Sequence, residues 1–143
     1  EDVVCLCEGD PFFYGSFMYL YARLASDYQV KVVPGVTSVT TCAARAGMPL
    51  AARNERLTVL PGPLPAEELR ARIEGAESVA IMKVGRHLSK IRAVIADLGL
   101  TDKAAYIERA SLPDELVCPL AQAPETAPYF SMIILTKGAD PWL

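Results

Sequence analysis

Two glycine-containing turns carry residues whose types and spacing are suited to chemistry. The first, Glu8-Gly9-Asp10-Pro11, follows the apolar run Val3–Cys7 directly. Glycine lets a ligand approach the backbone closely, and the carboxylate that follows it, Asp10, can accept hydrogen bonds from an ammonium group or a ribose. The alternative is an ordinary turn between a strand and a helix, in which aspartate and proline only start the helix.

The second turn, Pro34-Gly35-Val36-Thr37-Ser38, separates another apolar run from a helical pattern. Its hydroxyl groups and the free amides of a helix start can bind a carboxylate or another polar edge of a ligand. The alternative is a simple helix cap. Neither turn matches a dinucleotide or a phosphate loop. If both turns follow neighbouring parallel strands, they meet at one edge of the sheet, which favours ligand binding by both.

Further along the chain, the stretch Met82-Lys83-Val84-Gly85-Arg86 also follows a predicted strand. Lys83 and Arg86 are candidates for binding anionic groups, or they are solvated loop charges. His87 is a candidate general base, although a lone histidine near a helix start is more often a surface or capping residue. No Ser-His-Asp set and no carboxylate pair typical of hydrolysis is present in the sequence.

Hydrophobic periodicity predicts the elements that position the first two turns. Strands are predicted at residues 3–7 and 29–33, where apolar and β-branched residues run together. A helix is predicted after Gly15, and a second one, capped at Thr37-Ser38, ends at Gly47. Their apolar faces consist of Phe17, Leu20, Tyr21 and Leu24 in the first helix and Val39, Cys42, Ala43 and Ala46 in the second.

The rest of the chain predicts a fuller α/β arrangement. A helix opens at Pro65 with Glu67 and Glu68 in its first turn, and another carries its apolar face from Leu88 to Leu98. The run MIIL has the continuous apolar character of a central strand. Strands are predicted at residues 57–60, 78–82, 104–108, 115–118 and 129–136. We place a domain boundary in the polar stretch Ala51-Ala52-Arg53-Asn54-Glu55-Arg56, with residues 1–52 in a first α/β domain and 53–143 in a second.

Composition excludes several classes of function. Of 143 residues, 52% are hydrophobic and 22% charged, and the net charge is −3, so the chain is globular and lacks the basic patch of a nucleic-acid binder. No apolar run is long enough to span a membrane, and no signal peptide is evident, which favours the cytoplasm. The four cysteines are expected to be reduced and buried, with no metal site. The predicted first sheet is thin, so we expect a fragment of a longer protein.

Five stretches are informative as a set: EGDPFFYGSF, VVPGVTSVTTCAARAGMPLA, VAIMKVGRHLSKI, AYIERASLPDE and PYFSMIIL. Together they resemble the tetrapyrrole (corrin/porphyrin) methylase family, and in particular its precorrin-2 C20-methyltransferase branch. They occur in the order of the family and cover nearly the whole chain. The resemblance implies a two-domain α/β fold, with an incomplete first domain here and a complete second domain built on a mixed sheet.

The resemblance also implies a cofactor, a reaction and a set of site residues. The cofactor is S-adenosylmethionine, and the reaction methylates C20 of precorrin-2, without an assigned catalytic residue. The full-length enzyme is expected to be a homodimer. Arg53 and Arg86 are candidates for the carboxylates of the tetrapyrrole. The cofactor-binding residues implied by the resemblance are Glu8, Gly9, Asp10, Phe13, Thr37, Ser38, Met82, Lys83 and Ala110.

Two alternatives to this function stay open. One is a methylase of the same family that acts at a different ring position or on cobalt-factor II. The other, of a different class, is a non-catalytic α/β module that binds a small molecule. Binding of S-adenosylhomocysteine separates the second alternative from the methylases.

Overall fold

A computed structural model of the chain describes residues 2–138. The chain divides into two compact units, Glu1–Ser38 and Val39–Leu143. The domain boundary predicted between residues 52 and 53 stays a prediction.

The first unit is organised around helix α1, Phe17–Leu24. The predicted helix is confirmed, including its start after Gly15. Aromatic rings pack along it: Phe12 meets Tyr21 edge to face at 4.9 Å between centroids, and Phe17 lies 6.3 Å from the same ring. These contacts remain partly open to solvent, because no residue of α1 is buried.

The two strands predicted for this unit are wrong. Residues 3–7 and 29–33 are not strands in the structure. Val3 and Leu6 are 92% and 91% exposed, and Cys5 and Cys7, which were expected to be buried, are exposed as well. A strand exists only when another strand accepts and donates its backbone hydrogen bonds, and apolar sequence alone does not supply that partner.

The second unit contains a five-stranded mixed sheet. Its order is β1-β2-β5-β3-β4. β1 pairs parallel to β2, while β5 pairs antiparallel to both β2 and β3, and β4 antiparallel to β3. The predicted mixed sheet and the central position of MIIL are thereby confirmed. The strands are β1 Leu57–Pro61, β2 Ser78–Met82, β3 Ala104–Glu108, β4 Leu116–Pro119 and β5 Ser131–Thr136.

Helices accompany this sheet, and the apolar core lies between the sheet and two of them. Helix α2, Ser38–Ala46, begins at the last residue of the first unit; α3 spans Ala66–Glu74 and α4 spans Leu88–Asp97. Short 3₁₀ turns occupy residues 85–87, 101–103 and 120–122. The core unites residues of α3, α4 and one face of the sheet, among them Ile73, Ile91, Ile95, Tyr106 and Ile133.

Local sequence signals account for the ends of these helices. Gly47 and Gly99 adopt positive φ values of 63° and 69°, as expected for residues that end a helix. Met48 donates its backbone N–H to Ala43 across the end of α2. Cys42 is buried in α2 and Cys118 is half-buried in β4. Within residues 2–138, no helix is both long and apolar enough to cross a membrane.

Candidate functional site

In the first unit, one carboxylate ties the two glycine-containing turns together. Asp10 accepts the backbone N–H of Phe12 on Oδ1 and that of Gly35 on Oδ2, both at 2.9 Å. These two N–H groups, with Gly35 contributing more, lower the pKa of the Asp10 carboxyl group. Through Phe12, Asp10 therefore stabilises the first turn, which precedes α1. Through Gly35, it also fixes the second turn to the first.

Two glycines let the turns interlock. A Cβ atom on Gly35 would lie 2.1 Å from the carbonyl oxygen of Gly9, so no side chain fits there. Gly9 itself adopts φ +71°, a left-handed conformation that favours glycine. The two turns meet, but not at the predicted sheet edge, because residues 3–7 and 29–33 are not strands.

The other predicted site residues of this unit surround the joined turns in the sequence. Glu8 is exposed, and Phe13 is half-buried with its ring 5.2 Å from that of Tyr14. Thr37 is half-buried, and Ser38 is the first residue of α2. Their assignment to a cofactor stays a prediction.

In the second unit, the carboxyl ends of β1, β2 and β3 lie at the same edge of the sheet, because all three strands run in one direction. Gly62 follows β1, and a Cβ atom on it would approach the carbonyl oxygen of Lys83 to 2.7 Å. Its N–H donates to the carbonyl of Met82. The ammonium group of Lys90, a residue of α4, donates to the carbonyls of Gly62 and Leu64. The turns after β1 and β2 are therefore closely joined.

Three of the predicted residues occupy this edge. Met82 is the buried last residue of β2, and Lys83 follows it with an exposed side chain and φ 57°. Ala110 follows β3, between Arg109 and Ser111, both of which adopt positive φ values. Backbone in this conformation is costly for residues other than glycine, so the surroundings must hold it in place.

A buried carboxylate supports the start of the turn after β3. Glu108 accepts the Tyr106 hydroxyl at 2.6 Å and the Arg109 guanidinium at 3.0 Å. Burial, together with the Glu108 carboxylate, raises the pKa of Tyr106. The sequence does not reveal this network, because it depends on Tyr106 and Glu108 lying on the same face of β3.

A second carboxylate supports the other end of the same turn. Glu115 accepts the backbone N–H of Ser111 and also forms an ion pair with Arg45 of α2. The Arg45 Nε lies 2.8 Å from Oε1 of Glu115, and a second guanidinium nitrogen lies 2.6 Å from the same oxygen. The Arg45 guanidinium and then the Ser111 N–H hold the pKa of Glu115 below its usual range. Burial, with Glu115 nearby, raises the pKa of Cys42 to about 11.

The basic residues considered in the sequence are exposed or only partly covered. Arg53 and Arg86 are exposed. His87 stands at the N-cap of α4 and is half-buried, but its side chain makes no capping hydrogen bond, so the capping role considered for it is wrong. Desolvation, followed by the charges of Lys90 and Arg86, lowers the pKa of His87. Within residues 2–138, no group of three or more histidine, cysteine, aspartate or glutamate side chains could hold a metal ion.

Curated relatives match almost the whole chain. It is 44% identical over 139 residues to a precorrin-2 C(20)-methyltransferase from Sinorhizobium, covering 96% of this chain and 57% of that protein. It is 42% identical to the cobalamin biosynthesis protein CobIJ of Mycobacterium tuberculosis, covering 96% of this chain and 27% of that protein. A cobalt-precorrin-2 C(20)-methyltransferase from Salmonella typhimurium is 32% identical, covering 90% and 56%. The chain thus spans little more than half the length of the Sinorhizobium and Salmonella relatives.

Solved structures and a family profile agree with these relatives. The cobalt precorrin-4 methyltransferase CbiF aligns with a TM-score of 0.69 at 23% identity, covering 93% of this chain and 63% of that one. A uroporphyrin-III C-methyltransferase from Thermus thermophilus, complexed with S-adenosylhomocysteine, aligns with a TM-score of 0.63 at 25% identity, covering 90% and 63%. The profile of the tetrapyrrole (corrin/porphyrin) methylases matches residues 1–124. With its mixed sheet and its pattern of turns, this chain belongs to the tetrapyrrole (corrin/porphyrin) methylase family.

Proposed function

We propose that this chain is part of an S-adenosylmethionine-dependent methyltransferase of cobalamin biosynthesis, which methylates C20 of precorrin-2 to give precorrin-3A. The observation that carries this proposal is the 44% identity to a precorrin-2 C(20)-methyltransferase over 96% of the chain. The activity belongs to the intact protein, since the chain spans 57% of that relative. We further propose that the intact protein is a cytoplasmic homodimer.

The residues of the first unit fit the polar end of S-adenosylmethionine. The interlocked turns contain two exposed glycines, and the exposed Glu8 carboxylate suits an ammonium group or a ribose hydroxyl. Thr37 and Ser38 stand where α2 begins, a position that suits a carboxylate. In this proposal Asp10 keeps the two turns at a fixed separation, and Phe13 lies along the same part of the ligand.

The residues of the second unit are assigned to the adenine end. Met82, Lys83 and Ala110 follow β2 and β3 at one sheet edge, where backbone groups can recognise a purine. The structure of a uroporphyrin-III C-methyltransferase complexed with S-adenosylhomocysteine supports the choice of ligand. Arg53 and Arg86 are assigned to carboxylates of the tetrapyrrole, since both guanidinium groups are exposed.

The proposed chemistry asks little acid–base work of the protein. The sulfonium of the cofactor supplies a methyl group whose leaving group needs no proton. The chain therefore has to hold carbon, methyl and sulfur in line and keep water out. This agrees with the two carboxylates that support the turns: Asp10 and Glu108 each accept hydrogen bonds from neighbouring protein groups.

The test uses the intact protein with S-adenosylmethionine and either metal-free precorrin-2 or its cobalt complex. We expect a product one methyl group heavier, with the new methyl at C20 of the metal-free substrate. Turnover of the cobalt complex alone would favour the second candidate, a cobalt-precorrin-2 methylase, which the 32% identical Salmonella relative supports. A methyl at another ring carbon would reassign the position, and failure to bind S-adenosylhomocysteine in calorimetry would point to a non-catalytic binding module.

Substitutions in the first turn test the cofactor assignment. Gly9→Val places a branched side chain on left-handed backbone, and Asp10→Ala removes the acceptor for two N–H groups. Losing a hydrogen bond to a charged group costs roughly 1.5–3 kcal/mol, so we expect S-adenosylhomocysteine to bind at least about tenfold more weakly. Asp27→Ala is the matched control, because Asp27 is an exposed aspartate of the same unit. Wild-type affinity in both turn variants would refute the assignment.

A further inference from the structure

The turn after β3 is held in an unusual conformation by a small number of side chains. Arg109 and Ser111 adopt φ values of 50° and 66° on either side of Ala110. Neither residue is glycine, so this backbone persists only where neighbouring groups enforce it. The contacts that enforce it therefore decide where the backbone of Ala110 lies.

The first half of the turn is fixed within its own sheet. The backbone N–H of Arg109 donates to the carbonyl of Phe130 at 2.9 Å. The Arg109 guanidinium reaches the Glu108 carboxylate at 3.0 Å and that of Asp114 at 3.2 Å. These contacts join the turn to Phe130, just before β5, and to Asp114, shortly before β4.

The second half of the turn depends on a residue from a distant part of the chain. Glu115 accepts the Ser111 N–H, and the same carboxylate accepts hydrogen bonds from two guanidinium nitrogens of Arg45, 70 residues earlier in the chain. The Glu115 side chain is only 13% exposed, whereas that of Arg45 is 54% exposed. Arg45 donates to both oxygens of this largely covered carboxylate, and Oε2 also accepts the backbone N–H of the turn.

We propose that Arg45 and Glu115 are positioning residues, which hold the turn at Ser111 so that Ala110 lies where the adenosyl cofactor binds. This inference rests on the proposed function. It assigns a role to two residues that need not touch the cofactor. It also makes helix α2 a support for the turn after β3.

A comparison within the same unit separates this role from simple stabilisation. Arg56 and Glu77 also form a two-point ion pair, with distances of 2.9 and 3.2 Å. That pair joins the segment before β1 to the residue before β2. Both arginine side chains are more than half exposed, 54% for Arg45 and 73% for Arg56, so removing either guanidinium should change the unfolding temperature only slightly. Of these two pairs, only Arg45–Glu115 contacts the turn that contains Ala110.

The experiment measures S-adenosylhomocysteine binding by calorimetry in the intact protein and in three variants. In Arg45→Ala and Glu115→Gln we expect binding to weaken roughly tenfold, a loss comparable to one hydrogen bond. Arg56→Ala, the matched control, should bind as the wild type does. Arg45→Lys, which keeps the charge but loses the two-point contact, should recover part of the affinity.

Two further readouts identify a positioning effect. Deuterium exchange at the amide of Ser111 should accelerate in Arg45→Ala, while the amides of β2 and β5 exchange at their wild-type rates. In steady-state methyl transfer, the KM for S-adenosylmethionine should rise while kcat changes by less than about threefold, since a misplaced binding turn weakens binding without altering the transfer step.

The outcomes distinguish this inference from the proposed function. If the wild type does not bind S-adenosylhomocysteine, the proposed function fails and takes this inference with it. If the wild type binds and both Arg45→Ala and Glu115→Gln bind equally well, only the positioning role is refuted. Equal weakening in Arg56→Ala would also refute it, because the effect would then be general. Should Glu115→Gln fail to fold, Arg45→Ala decides, since its side chain is largely exposed.

Discussion

Gly35 and Asp10 show how two side chains, one of them a single hydrogen atom, fix the geometry of the first unit. The Asp10 carboxylate binds the N–H of Gly35, and the missing Cβ of Gly35 lets it approach Gly9. Each contact needs the other: a side chain at Gly35 would push its N–H away from the carboxylate. The candidate site in this unit therefore depends on backbone contact more than on reactive groups.

At this scale we predict that Gly35→Ala disrupts the joined turns. The new methyl group would sit 2.1 Å from the carbonyl oxygen of Gly9, far inside the sum of their radii, and backbone atoms cannot move aside cheaply. Affinity for S-adenosylhomocysteine should fall at least about tenfold, similar to the loss of an Asp10 hydrogen bond. Gly75→Ala is the control, since its added methyl meets only an ordinary 3.6 Å contact. Equal affinity in the two variants would contradict the prediction.

A second residue-scale prediction concerns His87. Its side chain makes no capping hydrogen bond at the start of α4, and desolvation and nearby positive charges lower its pKa. A general base contributes roughly 10²-fold or more to a rate, whereas we expect His87→Ala to reduce single-turnover methyl transfer by less than about threefold. The measurement is made at saturating S-adenosylmethionine. A hundredfold loss with intact cofactor binding would make His87 part of the mechanism.

At the scale of elements, the sequence predicted the second unit well and the first unit only in part. Helix α4 and strand β5 have patterns that are local: an apolar face bounded by Gly99, and the continuous run MIIL. β5 begins at Ser131 and not at Tyr129, because Tyr129 and Phe130 are exposed and outside the ladder. Residues 3–7 and 29–33 have equally apolar patterns but lack partner strands, which no local pattern reveals.

The candidate site divides in the same way between what the sequence predicts and what it cannot. The two turns were predictable, because glycine, aspartate and proline have known preferences over four or five residues. The hydrogen bond that joins them was not predictable, because it links Asp10 to Gly35, 25 residues later. The supports of the Ala110 turn were not predictable either. Arg45 and Glu115 are 70 residues apart, and each is unremarkable in its own helix or loop. Only the fold brings such groups together.

An element-scale prediction follows from the Arg56–Glu77 pair. The Arg56 side chain lowers the pKa of Glu77 to about 2, below the value of about 4.3 for an unfolded chain. The stabilisation is therefore present above about pH 4.3 and is lost as the pH falls towards 2. We expect Glu77→Gln to reduce the acid dependence of urea unfolding between pH 5 and pH 2.5. An unchanged acid dependence would show that this carboxylate does not contribute.

At the scale of the whole molecule, apolar burial is concentrated in the second unit. Among the described residues, the buried ones all lie at Val39 or beyond. Residues 2–38 are held by turn hydrogen bonds and by partly exposed aromatic rings. Since burial of apolar surface is the main favourable term in folding, the two units should differ strongly in local stability.

We therefore predict that the two units exchange their amide hydrogens at different rates. Amides of α1, Phe17–Leu24, should exchange with deuterium at least about a hundredfold faster than those of β2 and β5, because no α1 residue is buried. Mass spectrometry of peptides from the native chain measures both. Comparable protection of the α1 and β5 amides from exchange would contradict this prediction, because the first unit would then be as stable locally as the sheet.

The central place of β5 bears on how the protein is made. β5 is the last strand along the described chain, yet it separates β1-β2 from β3-β4 in the sheet. As the ribosome extends the chain, the first four strands emerge as two pairs that have no common neighbour, and isolated pairs of strands are marginal in water. Both pairs must wait for residues 131–136 before the sheet closes. A nascent chain stalled before Ser131 is therefore an aggregation hazard, and chaperones would be expected to act at that stage of synthesis.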